Sequence, residues 1–133
     1  GSIRMHQLLR YALKPPAYHP DEDVYKYLVV DFMDAVRWAL KNGGAASKEN
    51  EVERGGQFLV GFQSRLFEVQ SDYAVIESAN GYNAIGSGTD IALGALHATA
   101  GKDPMERITA ALEAAQRFNA GVRGPFHIEI LEA

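Results

Sequence analysis

The 133-residue chain contains no cysteine. That absence excludes disulfides, thiolate nucleophiles and cysteine zinc sites together. It is compatible with a reducing compartment, and a cytoplasmic location is the expectation. A surplus of positive charge is missing too: 13 Lys and Arg stand against 17 Asp and Glu, a net charge of −4. Phosphate backbones require a concentrated basic face, so no nucleic-acid partner is expected. No apolar run approaches the roughly 18 residues of a membrane span, and neither a signal peptide nor a membrane partner is expected. Histidine is sparse. His6, His19, His97 and His127 match no metal spacing such as H-E-x-x-H, so neither a metal nor a cofactor is expected. An initiator Met is also lacking. Gly1-Ser2 reads either as the scar of a cleaved tag or as native chain, and the sequence is expected to be part of a longer gene product.

What remains is ordinary globular composition: 47% hydrophobic and 23% charged residues, enough to bury the core of a single domain spanning residues 1–133. Ser2 is a reasonable N-cap for a first helix, in which Ile3, Met5, Leu8, Leu9, Ala12 and Leu13 share an apolar face. Pro15-Pro16 stops it. A second helix, 21–42, begins with the acid-rich turn Asp21-Glu22-Asp23 and ends at Gly43-Gly44. It carries Tyr25, Leu28, Val29, Phe32, Val36, Ala39 and Leu40 at helical spacing. Trp38 and the Tyr25/Tyr27 pair read as packing residues. "GGAASKENEVERGG" reads as a mobile polar loop, with Glu49, Glu51 and Glu53 solvated.

The period then changes. "QFLVGFQ" and "LFEVQ" read as a hairpin about a Ser64-Arg65 turn, and "YAVIES" as a third short run. A helix from about Asp90 to Thr99 follows Gly86-Ser87-Gly88. The helix 104–119 has the clearest start signal: Asp103 as cap, Pro104 at the first helical position, and Glu106 completing a capping box. Its expected buried stripe is Met105, Ile108, Leu112 and Ala115. "FHIEIL" alternates and reads as a closing strand. Helix pairs covering a sheet are the expected architecture. The apolar faces ask for more sheet than the chain supplies, so strands are expected from upstream or from a partner.

The segment "GQFLVGFQSRLFEVQSDYAVIESANGYNAIGSGTDIALGAL" resembles the matching part of proteasome β subunits and of the bacterial proteasome-like (HslV-like) protease that works with an ATP-driven unfoldase. The shared order is strand, turn, strand, linker, then an apolar residue and Gly-Ser-Gly opening a helix rich in Ala and Leu. "ALEAAQRFNAGVRGPFHIEIL" resembles the family's last helix and final strand, and "GSIRMHQLL" the step that opens its first helix. The likeness covers the C-terminal two thirds of such a subunit.

The resemblance implies an α+β fold, the four-layer α-β-β-α sandwich of N-terminal-nucleophile (Ntn) hydrolases. It implies a threonine-type endopeptidase subunit acting on peptide or protein substrates, within a homo-oligomeric ring, with an ATP-dependent unfoldase as partner. The nucleophile would be the first residue of the mature chain, with its own α-amine as base. That residue and its supporting lysine and aspartate lie outside this sequence, so this chain alone is expected to be inactive.

Residue by residue, Ser87, between Gly86 and Gly88, matches the serine that supports the nucleophile's amine. Gly1, if native, matches the glycine whose backbone N–H forms the oxyanion hole, a donor worth roughly 2.7–4 kcal/mol. Ser2 and Ile3 would border the first specificity pocket. The family often carries an acid near the end of its last helix, where this chain has Asn119. That departure favours the alternative of a non-catalytic, ring-forming subunit of the same fold. A plain helix cap is the simplest structural role for Ser87. A third reading takes the turn as an anion- or nucleotide-binding helix start. It lacks the P-loop lysine and the third glycine of a dinucleotide motif, and Asp90 would repel phosphate.

Overall fold

The computed structural model describes residues 3–49 and 52–131. The chain falls into two compact units, residues 1–78 and 79–133, each described by itself.

The first unit begins with α1 (Ile3–Tyr11), which buries Met5 and Leu8. The long helix expected over 21–42 starts three residues later, because Asp23 provides the cap. Its carboxylate accepts from the Lys26 N–H at 2.9 Å. The helix is also not uniform. It runs as α2 (Val24–Tyr27), a π-helical segment (Leu28–Phe32) and α3 (Met33–Asn42).

One extra residue per turn rotates the following side chains. The buried face therefore steps from Leu28 to Met33, Val36 and Leu40, where a regular helix would have continued through Phe32. Val29 and Tyr25, expected on the apolar face, are 41% and 43% exposed. Tyr27 packs as expected and donates to the Pro16 carbonyl at 2.6 Å, while Tyr25 donates to the Val75 carbonyl at 2.7 Å. Trp38 corrects the packing expectation: it is 63% exposed, on the side of α3 away from the buried residues.

The segment read as a polar loop forms an antiparallel strand pair, β1 (Ser47–Glu49) and β2 (Val52–Arg54). Polar sequence concealed it, since little of it is apolar enough to show a period. A long-range contact fastens it: Arg37 donates to both Glu53 carboxylate oxygens, the shorter bond at 2.6 Å. Glu53 is thus ion-paired rather than solvated, and Glu51 lies outside the described residues.

Beyond it, β3 (Phe58–Phe62), β4 (Arg65–Val69) and β5 (Val75–Glu77) make an antiparallel sheet in the order β3-β4-β5. The hairpin turn falls on Gln63-Ser64, not Ser64-Arg65, and Arg65 pairs with Phe62. Both turn residues have positive φ, 51° and 59°, the primed geometry that matches strand twist. Met5, Leu8, Tyr27, Leu28, Met33, Val36 and Leu40 pack with Phe58, Phe67, Val69 and Val75 in one core, so these helices cover one sheet face. At the rim, Arg65 donates to both Glu77 oxygens at 2.8 and 2.7 Å, and that bonding holds the Glu77 carboxyl below the usual carboxylate range.

The second unit is a helical hairpin, α4 (Thr89–Ala98) and α5 (Pro104–Phe118). Asp103 caps α5 as expected, its carboxylate accepting from the N–H groups of Met105 and Glu106 at 3.0 and 3.4 Å. Glu106 is directed instead to Lys102, 3.6 Å away. The buried stripe differs from the expected one. Ala111 and Ala115 are buried, whereas Met105 and Ile108 are 40% and 38% exposed. Small residues allow close approach: a Cβ on Gly88 would meet that of Ala115 at 3.1 Å. Arg107 ties the helices by donating to the Leu96 carbonyl at 2.7 Å. The closing strand is absent. Residues 126–131 form no strand, and Ile130 and Leu131 are 69% and 89% exposed. Alternation makes a strand only where a neighbouring edge supplies hydrogen bonds, and no strand is found among the described residues of this unit.

Replacing Asp103 with Ala should destabilise α5 by about 1 kcal/mol, as for other lost helix caps. Chemical denaturation followed by circular dichroism measures it. An unchanged midpoint would mean that the cap contributes nothing.

Candidate functional site

Two glycines shape the turn that displays Ser87. Gly86 has φ +105°, a region closed to most side chains. Gly88 occupies the N-cap of α4 and supplies no side-chain cap bond. Thr89 secures the turn instead, its hydroxyl donating to the Gly86 carbonyl at 2.7 Å. The Ser87 hydroxyl is therefore not used as a helix cap, and Ser87 is exposed.

Asn119 meets this turn from the far end of the hairpin. It terminates α5 with extended backbone, φ −135° and ψ 119°. Its Nδ2 donates to the Ser87 carbonyl at 2.8 Å, and its Oδ1 accepts from the Gly121 N–H, also at 2.8 Å. The Ser87 hydroxyl stands 3.4 Å from the same Oδ1, a long contact for an O–H donor. Gly121 is a glycine for a steric reason: a Cβ there would lie 3.0 Å from Ser87 Oγ and 3.1 Å from Asn119 Oδ1. Beyond the bracket, Gln116 Oε1 accepts from the Gly124 N–H at 2.6 Å. Gln116, Asn119, Val122 and Arg123 line an open hollow of about 470 Å³.

The structure thus brings together Gly86, Ser87, Gly88 and Asn119. Ile3 belongs to the first unit, where it opens α1 and is 79% exposed. Gly1 and Ser2, including the expected Ser2 cap, lie outside the described residues. Gly121 and Gln116 were not singled out from sequence. The Asn-x-Gly spacing of Asn119 and Gly121 was the available signal, since an Asn side chain readily bonds the backbone two residues on.

Chemically, the cluster is an exposed hydroxyl beside a neutral carboxamide. An amide oxygen accepts hydrogen bonds but is no base, so this pair alone does not activate a nucleophile. All four histidines are exposed, and no group of acids and histidines able to hold a metal occurs among the described residues. No described helix is long and apolar enough to cross a membrane.

No protein-family model matches the chain, and no curated protein matches it. A solved structure described as Thiobacillus denitrificans BPH is similar, with a TM-score of 0.70 and 23% identity over 94% of this chain and 68% of that one. At that identity the likeness is one of fold.

Proposed function

We propose that the chain is the C-terminal portion of a proteasome-like Ntn-hydrolase subunit, a threonine-type peptidase whose nucleophile lies outside these residues. The observation that carries this reading is the state of Ser87. The plain cap role is taken by Gly88, which leaves an exposed hydroxyl with no cap to make, on a backbone that Asn119 holds through the Ser87 carbonyl. The sheet adds support. Among the described residues, β3 and β5 have no outer neighbours. On the face away from the core, Leu59 and Leu66 are only partly buried and Ile76 is 47% exposed. Such a sheet has room for further strands and a second layer, as a four-layer sandwich requires.

In this reading the first-residue hydroxyl attacks the scissile carbonyl while its α-amine takes the proton. By the family resemblance, Gly1, if native, would give the backbone N–H that receives the oxyanion, and Ser87 would support the amine. Substrates are peptides or proteins, delivered by an ATP-driven unfoldase. Asn119, where an acid is expected, favours the second reading of a non-catalytic, ring-forming subunit. Asp90, exposed in the first turn of α4, opposes anion or nucleotide binding there. The deciding experiment joins the mature first residue of the full-length protein with its turnover of fluorogenic peptides. Thr, Ser or Cys there with turnover supports the enzyme. Another residue without turnover selects the non-catalytic subunit.

The same reading implies a closed homo-oligomeric ring. Trp38 at 63% and Val30 at 45% exposure give the long helix two exposed apolar side chains, each set among charged residues, for a subunit contact. Light scattering of the full-length protein at micromolar concentration should give a multiple of the subunit mass. A strictly monomeric mass removes the ring and weakens the family reading with it.

A further inference from the structure

We infer that Asn119 is a positioning residue: its carboxamide brackets the Gly86–Gly88 turn against the segment after α5 and so fixes where Ser87 stands. The sense of the amide is set by its two short bonds. Nδ2 faces the Ser87 carbonyl and Oδ1 faces the Gly121 N–H, each at 2.8 Å. Rotating the amide by half a turn would set carbonyl against carbonyl and N–H against N–H. In the observed sense Oδ1 is the atom turned toward Ser87 Oγ, 3.4 Å away, so the hydroxyl is oriented loosely while the backbone beneath it is held firmly.

A carboxylate at this position would accept from Gly121 but have no proton to give the Ser87 carbonyl. The amide that looks like a departure from an acidic site is therefore the group able to hold both partners. The bracket joins residues 32 apart in sequence, and a Cβ on Gly121 would crowd both Ser87 Oγ and Asn119 Oδ1. The kinetic consequence rests on the hydrolase reading of Ser87. The bracket itself does not.

Two measurements separate them. The first uses the thermal stability of the chain. In Asn119→Asp the ionised carboxylate faces the Ser87 carbonyl with no donor, whereas the protonated acid restores the bond. The folded-state pKa of the new acid is then raised. Its stabilisation is present below the unfolded carboxylate value of about 4 and is lost as pH rises through the folded value. The charged groups nearest the bracket along the adjoining elements are Asp90 in the first turn of α4, Arg117 in the last turn of α5 and Arg123 beyond it; His97 of α4 and Glu106, Arg107 and Glu113 of α5 lie further along their helices, and none of these bonds to Asn119 or Ser87. The Gly121 N–H, which bonds either form of the acid but the ionised one more strongly, and the two exposed arginines, which salt screens, limit the rise without supplying the donor that the Ser87 carbonyl lacks. The Tm deficit of Asn119→Asp against the parent should therefore shrink as pH falls from neutral toward about 4, while that of Asn119→Ala stays constant. Parallel deficits at all pH values overturn the bracket. Should neither variant fold, hydrogen exchange in the parent decides: a protected Gly121 amide supports the bracket, and an unprotected one overturns it.

The second measurement uses the full-length protein in a double-mutant cycle. Asn119→Ala should lower kcat on the order of 10- to 100-fold, the scale of a misplaced supporting group, with little change in KM. It should add little when Ser87 is already Ala. Equal losses in both backgrounds show that Asn119 does not act through Ser87. If the parent protein turns over no peptide, the hydrolase reading falls, and the stability comparison still decides the bracket.

Discussion

Residues 1–133 alone are expected to show no peptide hydrolysis, at least roughly 10⁶-fold below a full-length enzyme of the proposed kind, the usual scale of losing a nucleophile and its base. The reason is visible around Ser87. Its hydroxyl has one hydrogen-bonding neighbour, the Oδ1 of Asn119 at 3.4 Å, and an amide oxygen cannot take a proton at neutral pH. Among the described residues no imidazole, carboxylate or amine reaches it. A serine hydroxyl without such a base is a poor nucleophile. The proposed reaction instead takes both hydroxyl and amine from a residue beyond this chain, so adding the upstream segment should switch turnover on. Ser87→Ala in the short chain should change nothing. Turnover by the short chain that disappears in that variant would make Ser87 the nucleophile and overturn the proposed division of roles.

Phe67→Ala should cost the first unit about 3–5 kcal/mol, the range for removing a buried aromatic ring. Phe67 is 0% exposed and sits on the central strand, paired with Val60 of β3 and Glu77 of β5. The Tyr25 ring stacks on it with centroids 6.5 Å apart, and the Arg65 guanidinium lies over it at 5.3 Å. Truncation would leave a cavity in contact with both helices and sheet. Because small domains have only about 5–15 kcal/mol in total, this change brings the unit close to unfolding. Urea titration followed by hydrogen exchange of the β4 amides measures it. Ile76→Ala, at a half-exposed position on the same sheet, should stay within about 0.5 kcal/mol and serves as the control. Similar losses for the two would mean that the core does not centre on Phe67.

What the sequence by itself determined is what short-range bonds determine. The start of α5 was legible because Asp103, Pro104 and the first N–H groups of the helix interact within three residues of one another. The β3–β4 hairpin was legible from its period, since alternate residues face one core. The Gly43 helix end and the stop after α1 are likewise local. The turn around Ser87 was legible as a site but not as a structure. That Gly88 rather than Ser87 takes the cap follows from a backbone conformation that glycine composition permits without specifying.

The tertiary structure decided everything that depends on a distant partner. The π-helical step at Leu28–Phe32 places Met33 and Val36 in the core, and only the surface they pack against makes that step worthwhile. β1 and β2 emerge from polar sequence with one of them fastened through Glu53 to Arg37, 16 residues away. Alanines rather than Ile108 face α4, because close helix approach selects for small side chains. "FHIEIL" has the pattern of a strand and no edge to join in its own unit. Asn119 acquired its place through Ser87 and Gly121, one distant in sequence and one near. A side chain's neighbours along the chain set its local geometry, but burial and pairing are settled by groups that only folding brings within hydrogen-bond range.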